Sequence, residues 1–431
     1  MPQGAWRQSN NWLADHTIYA RIPADEPAEM ASRSMTVPSP DLALADTPMT
    51  LTTTSGSVIH YLLSRQFGFA PGNAFTPIKI YLTAAAVAFL PLFLGALYDG
   101  PSIVTAEELH PLPFLHDWNV LFMSLVSFPC LLILTVTDQD VLALALKTVQ
   151  SDGTITISNA HKDQLAKRWR SNFRITNLAA QFVGLIVGGT IAYFNYVVYS
   201  PSHVGFWISD NDHLLGVGVV LLCFIFIFYA VVAIYILRNI AISLLFRDIV
   251  AHAQLHMLPM HPDKAGGLRP VGRLGLRNQY ALTLLGLNIV LLVTVSQLYL
   301  DVTWSLNALM SAAVLAYLIL GPVVFIAPLL PFRGGMLKNK SELMREVALR
   351  IRKELERLRV ELPCGKITKD DGKLIERLRK IGEVIDELPV WPFDAGTIRK
   401  FLTAYAIPIL GSIGFPLLKI IFDFAKAHVS M

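Results

Sequence analysis

Residues 80–98 read IYLTAAAVAFLPLFLGALY, an apolar run that meets no charge before Asp99. A helix needs about 20 such residues to cross the hydrocarbon core of a bilayer. Similar runs follow at 119–135, 175–199, 214–237, 281–300 and 308–330. Buried helices of a large soluble protein would carry more charge: only 16% of this chain is charged, against about 25% in an ordinary soluble domain. The runs predict an all-α polytopic integral membrane protein, with a six-helix transmembrane bundle over residues 79–333 and a lipid bilayer as its surroundings.

The basic residues order these spans. The loops at 100–118 and 200–213, and the short one near Asp301, contain no Lys or Arg. The alternate connections do: Lys147, Lys162, Lys167, Arg168, Arg170 and Arg174 in one, and Arg238, Arg247, Lys264, Arg269, Arg273 and Arg277 in the next. Arg333, Lys338 and Lys340 follow the sixth run. Lys and Arg collect on the cytoplasmic side, so the pattern predicts a multi-pass protein of the cell (inner) membrane with a cytoplasmic N-terminus.

Several classes are disfavoured. A net charge of +4 does not suggest a nucleic-acid partner. Cys130, Cys223 and Cys364 are too scattered for a disulfide framework or a zinc site. The polar segment 1–56 lacks the basic start and apolar core of a cleavable signal and reads as a disordered tail. Residues 57–78 read as an amphipathic segment before the first span. Phosphate-loop, nucleophile-elbow and H-E-x-x-H signatures are absent, and no cofactor can be named.

Outside the spans, Asp140 is expected to cap a helix over VLALALKTVQ, Ser151-Asp152-Gly153 to form a turn, and TITIS a short strand. A basic helix then leads into the third span. Over 334–392, Met344, Ala348, Ile351, Leu355, Leu358 and Leu362 alternate at four and three residues, as do Leu374, Leu378, Ile381, Ile385 and Leu388. These are coiled-coil-like seams and predict a cytoplasmic antiparallel helical hairpin, closed on itself or paired with other subunits. In 393–431, Asp394 is placed to cap a helix. Pro408, Gly411, Gly414 and Pro416 then interrupt the apolar segment, which reads as a seventh span or a re-entrant segment.

Within the bundle, Ala180, Gly184, Gly188 and Ala192 recur every fourth residue. Small residues at this spacing let helices approach closely, so the third span is expected to be central, against another span or its copy in a homo-oligomer. The middles of the six runs carry no charge, which argues against a proton-driven pump and leaves room for a channel gated by apolar constrictions.

The stretch from 252 to 270, HAQLHMLPMHPDKAGGLRP, admits three readings. His252 and His256, four apart on a continuing helix, would share a face, and His261 and Asp263 would complete an N/O metal site. Alternatively, Lys264, Gly266, Gly267, Arg269 and Arg273 form an anion- or lipid-headgroup-binding loop. The leading reading is structural: Pro259 and Pro262 end the helix, Asp263 caps or turns, and the Gly pair allows a hinge. The function that fits best is a channel or transport-type homo-oligomer whose hairpin senses or assembles. A metal-dependent membrane enzyme and a signalling or scaffold protein are the alternatives.

Overall fold

The computed structural model describes residues 57, 59, 61–62, 76–99, 112–199, 207–210, 213–257, 261–299, 304–361 and 369–411. The segment 1–56, most of 57–78 and the end of the chain from 412 lie outside them. Helices dominate: α1 (Thr76–Tyr98), α2 (Trp118–Ser151), α3 (Asn159–Tyr199), α4 (Gly216–His252), α5 (Arg269–Tyr299), α6 (Trp304–Ile326), α7 (Leu330–Glu361), α8 (Lys369–Asp386) and α9 (395–411). Helices α1 to α5 are each long and apolar enough to cross a membrane, and α6 with α7 forms a sixth candidate bent by 45°. The chain is thus an all-α polytopic membrane protein.

Several helices outrun their apolar runs. Helix α2 passes through Asp140 without a break, so this residue caps nothing. Helix α4 continues past Arg238 to His252. It ends there because Ala253 turns extended, before either proline. Gln254–Leu255 (β4) then pairs antiparallel with Ile155–Thr156 (β1), a small ribbon formed by the expected TITIS strand. A second ribbon joins Ser209–Asp210 (β2) to His213–Leu214 (β3).

The central helix is α4, not α3. It packs against α1, α2, α3, α6 and α7, whereas the extensive neighbour of α3 is α4 alone. The small-residue face explains the closeness of that one contact. A Cβ on Gly188 would lie 2.4 Å from the Phe226 carbonyl oxygen, and one on Gly184 would lie 2.8 Å from that of Ala230. Ala180 is buried on the same helix, while Phe182, Leu185 and Ile186 are exposed, as suits a lipid-facing surface.

Four helices contain interior prolines, Pro91 in α1 among them, and in the other three the effect is offset in one way. Proline lacks an N–H, so the carbonyl four residues earlier loses its donor, and no water inside a bilayer replaces it. Pro129 in α2 frees the Leu125 carbonyl, and the Tyr81 hydroxyl of α1 donates to it at 2.8 Å. Pro322 in α6 frees that of Leu318, which accepts from the Tyr405 hydroxyl of α9 at 2.6 Å. Pro408 in α9 frees that of Ala404, which lies 3.1 Å from the Thr283 hydroxyl of α5, whose one proton it shares with the Gln279 carbonyl at 2.9 Å. Helix α2 also widens into a π-turn at Met123–Ser127, just before Pro129.

Helix α9 is therefore fastened beside α5 and α6. Gly321 gives room to the Tyr405 ring, which would lie 2.4 Å from a Cβ there. A run of aromatic contacts continues along the seam: Tyr317–Tyr405, Tyr405–Phe401, Phe401–Phe325 at 4.2 Å, Phe325–Phe393 and Phe393–Trp391. Arg333 covers the Trp391 ring. Pro408 and Gly411 reach Gly286 and Val290 on α5, so the C-terminal helix follows the spans at least that far.

Helices α7 and α8 pack on each other. Lys340 and Asp386 pair at 3.0 Å across the base. The inward face of α7 is rotated from the expected seam. Leu343, Val347, Ile351 and Leu358 are partly buried, but Met344 and Leu355 are exposed. On α8, Leu378 and Ile385 are buried, while Leu374 and Ile381 are exposed. The hairpin base docks on the bundle, where Phe332 and Met336 join the core around Phe246 and Leu388; that docking selects the face.

Tyr405→Phe should destabilise the protein by about 1–3 kcal/mol, the cost of one buried unpaired group. Pro322→Ala in the same chain should recover most of it by restoring the helical N–H. Thermal unfolding of the four proteins in the cycle measures this coupling.

Candidate functional site

The long helices carry charge into the bundle. Arg238 is only 2% exposed and Asp138 only 3%. They belong to α4 and α2 and meet with Arg238 Nη2 3.6 Å from Asp138 Oδ2. Arg238 Nη1 donates to the Thr135 carbonyl at 2.9 Å. Arg277 of α5 approaches the same turn of α2 and donates to the Leu134 carbonyl, the Thr137 carbonyl and the Thr137 hydroxyl. Tyr235 donates to Asn278 at 3.0 Å. Two guanidiniums and one carboxylate thus tie three helices together.

A buried ion pair loses water on both sides and is retained only when additional hydrogen bonds compensate. Here the backbone of α2 supplies much of that compensation. Arg238 still keeps Nε and Nη2 without a hydrogen bond, and Gln279, fully buried, keeps both amide atoms unpaired. Ionisable groups in membrane helices concentrate at functional sites. Arg238, Arg277 and Asp138 each lie just beyond an apolar run, so hydropathy places the two arginines in a loop and does not single out Asp138. The signal in the sequence is helix length: α4 runs unbroken past Arg238 to His252, which places that side chain on a packed helix.

A polar cavity lies at the opposite end of α2. The helical rise from Asp117 to Asp138 is about 30 Å, the thickness of a hydrocarbon core. The cavity, about 50 Å³, is lined by Asp117, Asn119, Asn195, Tyr229 and Ser296 among apolar walls that include Met123 and Leu292. Asp117 caps α2 by accepting from the Val120 N–H at 3.1 Å, and it accepts from the Trp207 indole at 3.1 Å. Burial pushes its carboxyl above the ordinary aspartate range despite these bonds. Between cavity and charged cluster, Asn288 of α5 donates to the Ser127 hydroxyl at 2.7 Å.

The stretch from 252 to 270 is organised by Asp263. Its carboxylate accepts from the N–H groups of Ala265 at 2.9 Å, Gly267 at 3.1 Å and Arg269 at 3.2 Å, and lies 2.7 Å from His261 Nδ1. Burial by itself would raise this carboxyl; the donors together hold it below the ordinary range. Lys264, Gly266 and Gly267 all have positive φ. Gly267 is required twice over, because a Cβ there would also strike the Thr154 hydroxyl.

The chain's own carboxylate therefore occupies the donors proposed for an external anion. Gly266 and Gly267 are buried, and Lys264 and Arg273 are exposed. Arg269 lies 3.6 Å from Asp394. That carboxyl is held low by the Thr397 hydroxyl, against slight desolvation, with help from the Thr397 N–H and Arg269. The four proposed metal ligands are not assembled. His252 ends α4 and lies beside His161, whereas His256 follows the β4 strand, so they do not share a helix face. Among the described residues, no three His, Cys, Asp or Glu side chains are placed to hold a metal ion. Compared with known proteins, the chain matches no family, no curated protein and no solved structure.

Arg238→Ala should cost about 3–5 kcal/mol, because it strands Asp138 in the bundle. Adding Asp138→Leu should recover a large part, as unfolding in detergent would show. Asp263 should contribute stability fully above the unfolded aspartate pKa of about 3.9 and lose it as pH falls through its lower folded value. Below that pH, the unfolding midpoints of wild type and Asp263→Asn should converge.

Proposed function

We propose that this chain is a gated membrane transport protein in which a small polar solute or ion moves along the interface of α2, α4 and α5. The observation that carries the reading is the buried Asp138–Arg238 pair, joined by Arg277 at one end of these helices. The polar cavity at Asp117 and the Asn288–Ser127 contact supply polar groups at the other end and between. The two guanidiniums and the carboxylate, packed together across three helices, correspond to a gate closed at the charged end. Opening it requires Arg238 and Asp138 to separate, which fits a gated or alternating transporter better than a permanently open pore.

The distribution of Lys and Arg supports placing the spans in the cell (inner) membrane, with the charged end and the α7–α8 hairpin in the cytoplasm. On this reading the loop at 261–268 is a rigid joint rather than a ligand site, passing movement of the hairpin base to α5 through Arg269 and Asp394. Met344 and Leu355, exposed on α7, give a homo-oligomer a surface to use. No observation among the described residues favours the metal-enzyme reading.

Reconstituted vesicles test the proposal. Wild type should carry a saturable flux of a small ion or polar solute. Asp138→Asn with Arg238→Gln, which removes both charges and keeps shape, should change that flux at least tenfold. Vesicles tight to a panel of small ions and solutes under voltage and pH gradients would end the transport reading.

A further inference from the structure

The cavity beside Asp117 has the chemistry of a cation site. Its polar groups come from four helices: Asp117 and Asn119 at the start of α2, Asn195 and Ser296 near the ends of α3 and α5, and Tyr229 from within α4. The remaining lining is apolar, so the polar groups face a small, partly open cavity. Its volume of about 50 Å³ exceeds the roughly 10–15 Å³ that one water needs on this measure and suits one small ion with a water or two.

The polar part of the lining supplies several oxygens. Asn119 Oδ1 is buried without a hydrogen-bond partner. The Asn195 amide, also in the lining, spends an N–H on the Ile191 carbonyl at 2.7 Å, which leaves its oxygen free of that bond. Ser296 and Tyr229 add hydroxyls. Hard cations prefer oxygen ligands of this sort. No Lys or Arg lines the cavity among the described residues. The titratable groups near Asp117 are Tyr229 across the space and His116 beside it in the chain, whose Nδ1 is buried without a partner.

We infer that this cavity binds one small monovalent cation, of the size of Na⁺ or K⁺, with the Asp117 carboxylate as its counter-charge and oxygens of Asn119, Asn195 and Ser296 as ligands. A single carboxylate matches a single positive charge and would leave a divalent ion half-neutralised. The site deepens the transport reading and rests on it only for its role, since binding is measured without flux. The proton is the natural competitor, because burial already favours the neutral acid at Asp117.

Thermal unfolding of the full chain in detergent tests this, with NaCl or KCl exchanged against choline chloride at constant ionic strength. A cation bound by the folded state should raise the midpoint saturably, and acidification should weaken its apparent affinity, by about tenfold per pH unit once Asp117 is protonated. Asp117→Asn should abolish the response. Asn195→Leu, which leaves the contacts of Asp117 with Val120 and Trp207 intact, should weaken it at least tenfold and guards against misfolding of the first variant. A midpoint indifferent to Na⁺ and K⁺, or a response preserved in Asn195→Leu, overturns the site. Saturable binding with no flux in vesicles would retire the transport reading and leave the site standing.

Discussion

A bilayer offers no water to a carbonyl that has lost its donor, and the packing of this bundle depends on how that is met. Pro129, Pro322 and Pro408 each remove one helical N–H. In each case a hydroxyl from a different helix takes its place: Tyr81, Tyr405 and Thr283. The consequence is directional. An apolar face alone would let helices slide past one another with little change in contact, since lipid tails are as apolar as leucine. A hydroxyl on a particular carbonyl fixes which turn of one helix lies beside which turn of the next. Tyr405 joins α9 to α6, and Thr283 joins α5 to α9, so the C-terminal helix is held from two sides.

With the helices in register, the charged groups can be tolerated. Arg238 and Arg277 arrive from α4 and α5 at the same turn of α2, where the carbonyls of Leu134, Thr135 and Thr137 lie within reach beside Asp138. A shift of one helical turn would carry a guanidinium about 5 Å along, away from its acceptors. The same register brings Asp117, Asn195 and Ser296 together toward the far end, with Tyr229 lining the same cavity from within α4. Because α4 contributes to both ends as one unbroken helix, a tilt or rotation of α4 would move the two sites together. That is the mechanical basis for proposing a gate.

Much of the membrane architecture was legible along the chain. Uncharged runs of bilayer length are expensive for any other fold, and the repeat of Ala180, Gly184 and Gly188 announced a close helix contact. The seams at 344–362 and 374–388 announced a hairpin, though not which face turns inward. A heptad shows that an apolar stripe exists; docking of Phe332 and Met336 on the bundle chose Leu343 and Val347 over Met344 and Leu355. The charged cluster was hidden for a related reason. Asp138, Arg238 and Arg277 stand just past the ends of apolar runs, where a linear reading assigns them to solvent.

The sequence by itself determined that this is a helical membrane protein, roughly where its spans lie, and that 252–270 is punctuated by residues suited to a turn. Those properties follow from hydropathy and backbone preference, which act locally. Only the tertiary structure decided that α4 rather than α3 is central, that Asp263 satisfies the loop's own N–H groups, and that Asp138 meets Arg238 inside the bundle. Each of these depends on which turns of distant helices come to the same level. That level is set by side-chain hydroxyls and guanidiniums finding carbonyls far away in the chain, a pairing that no local pattern encodes.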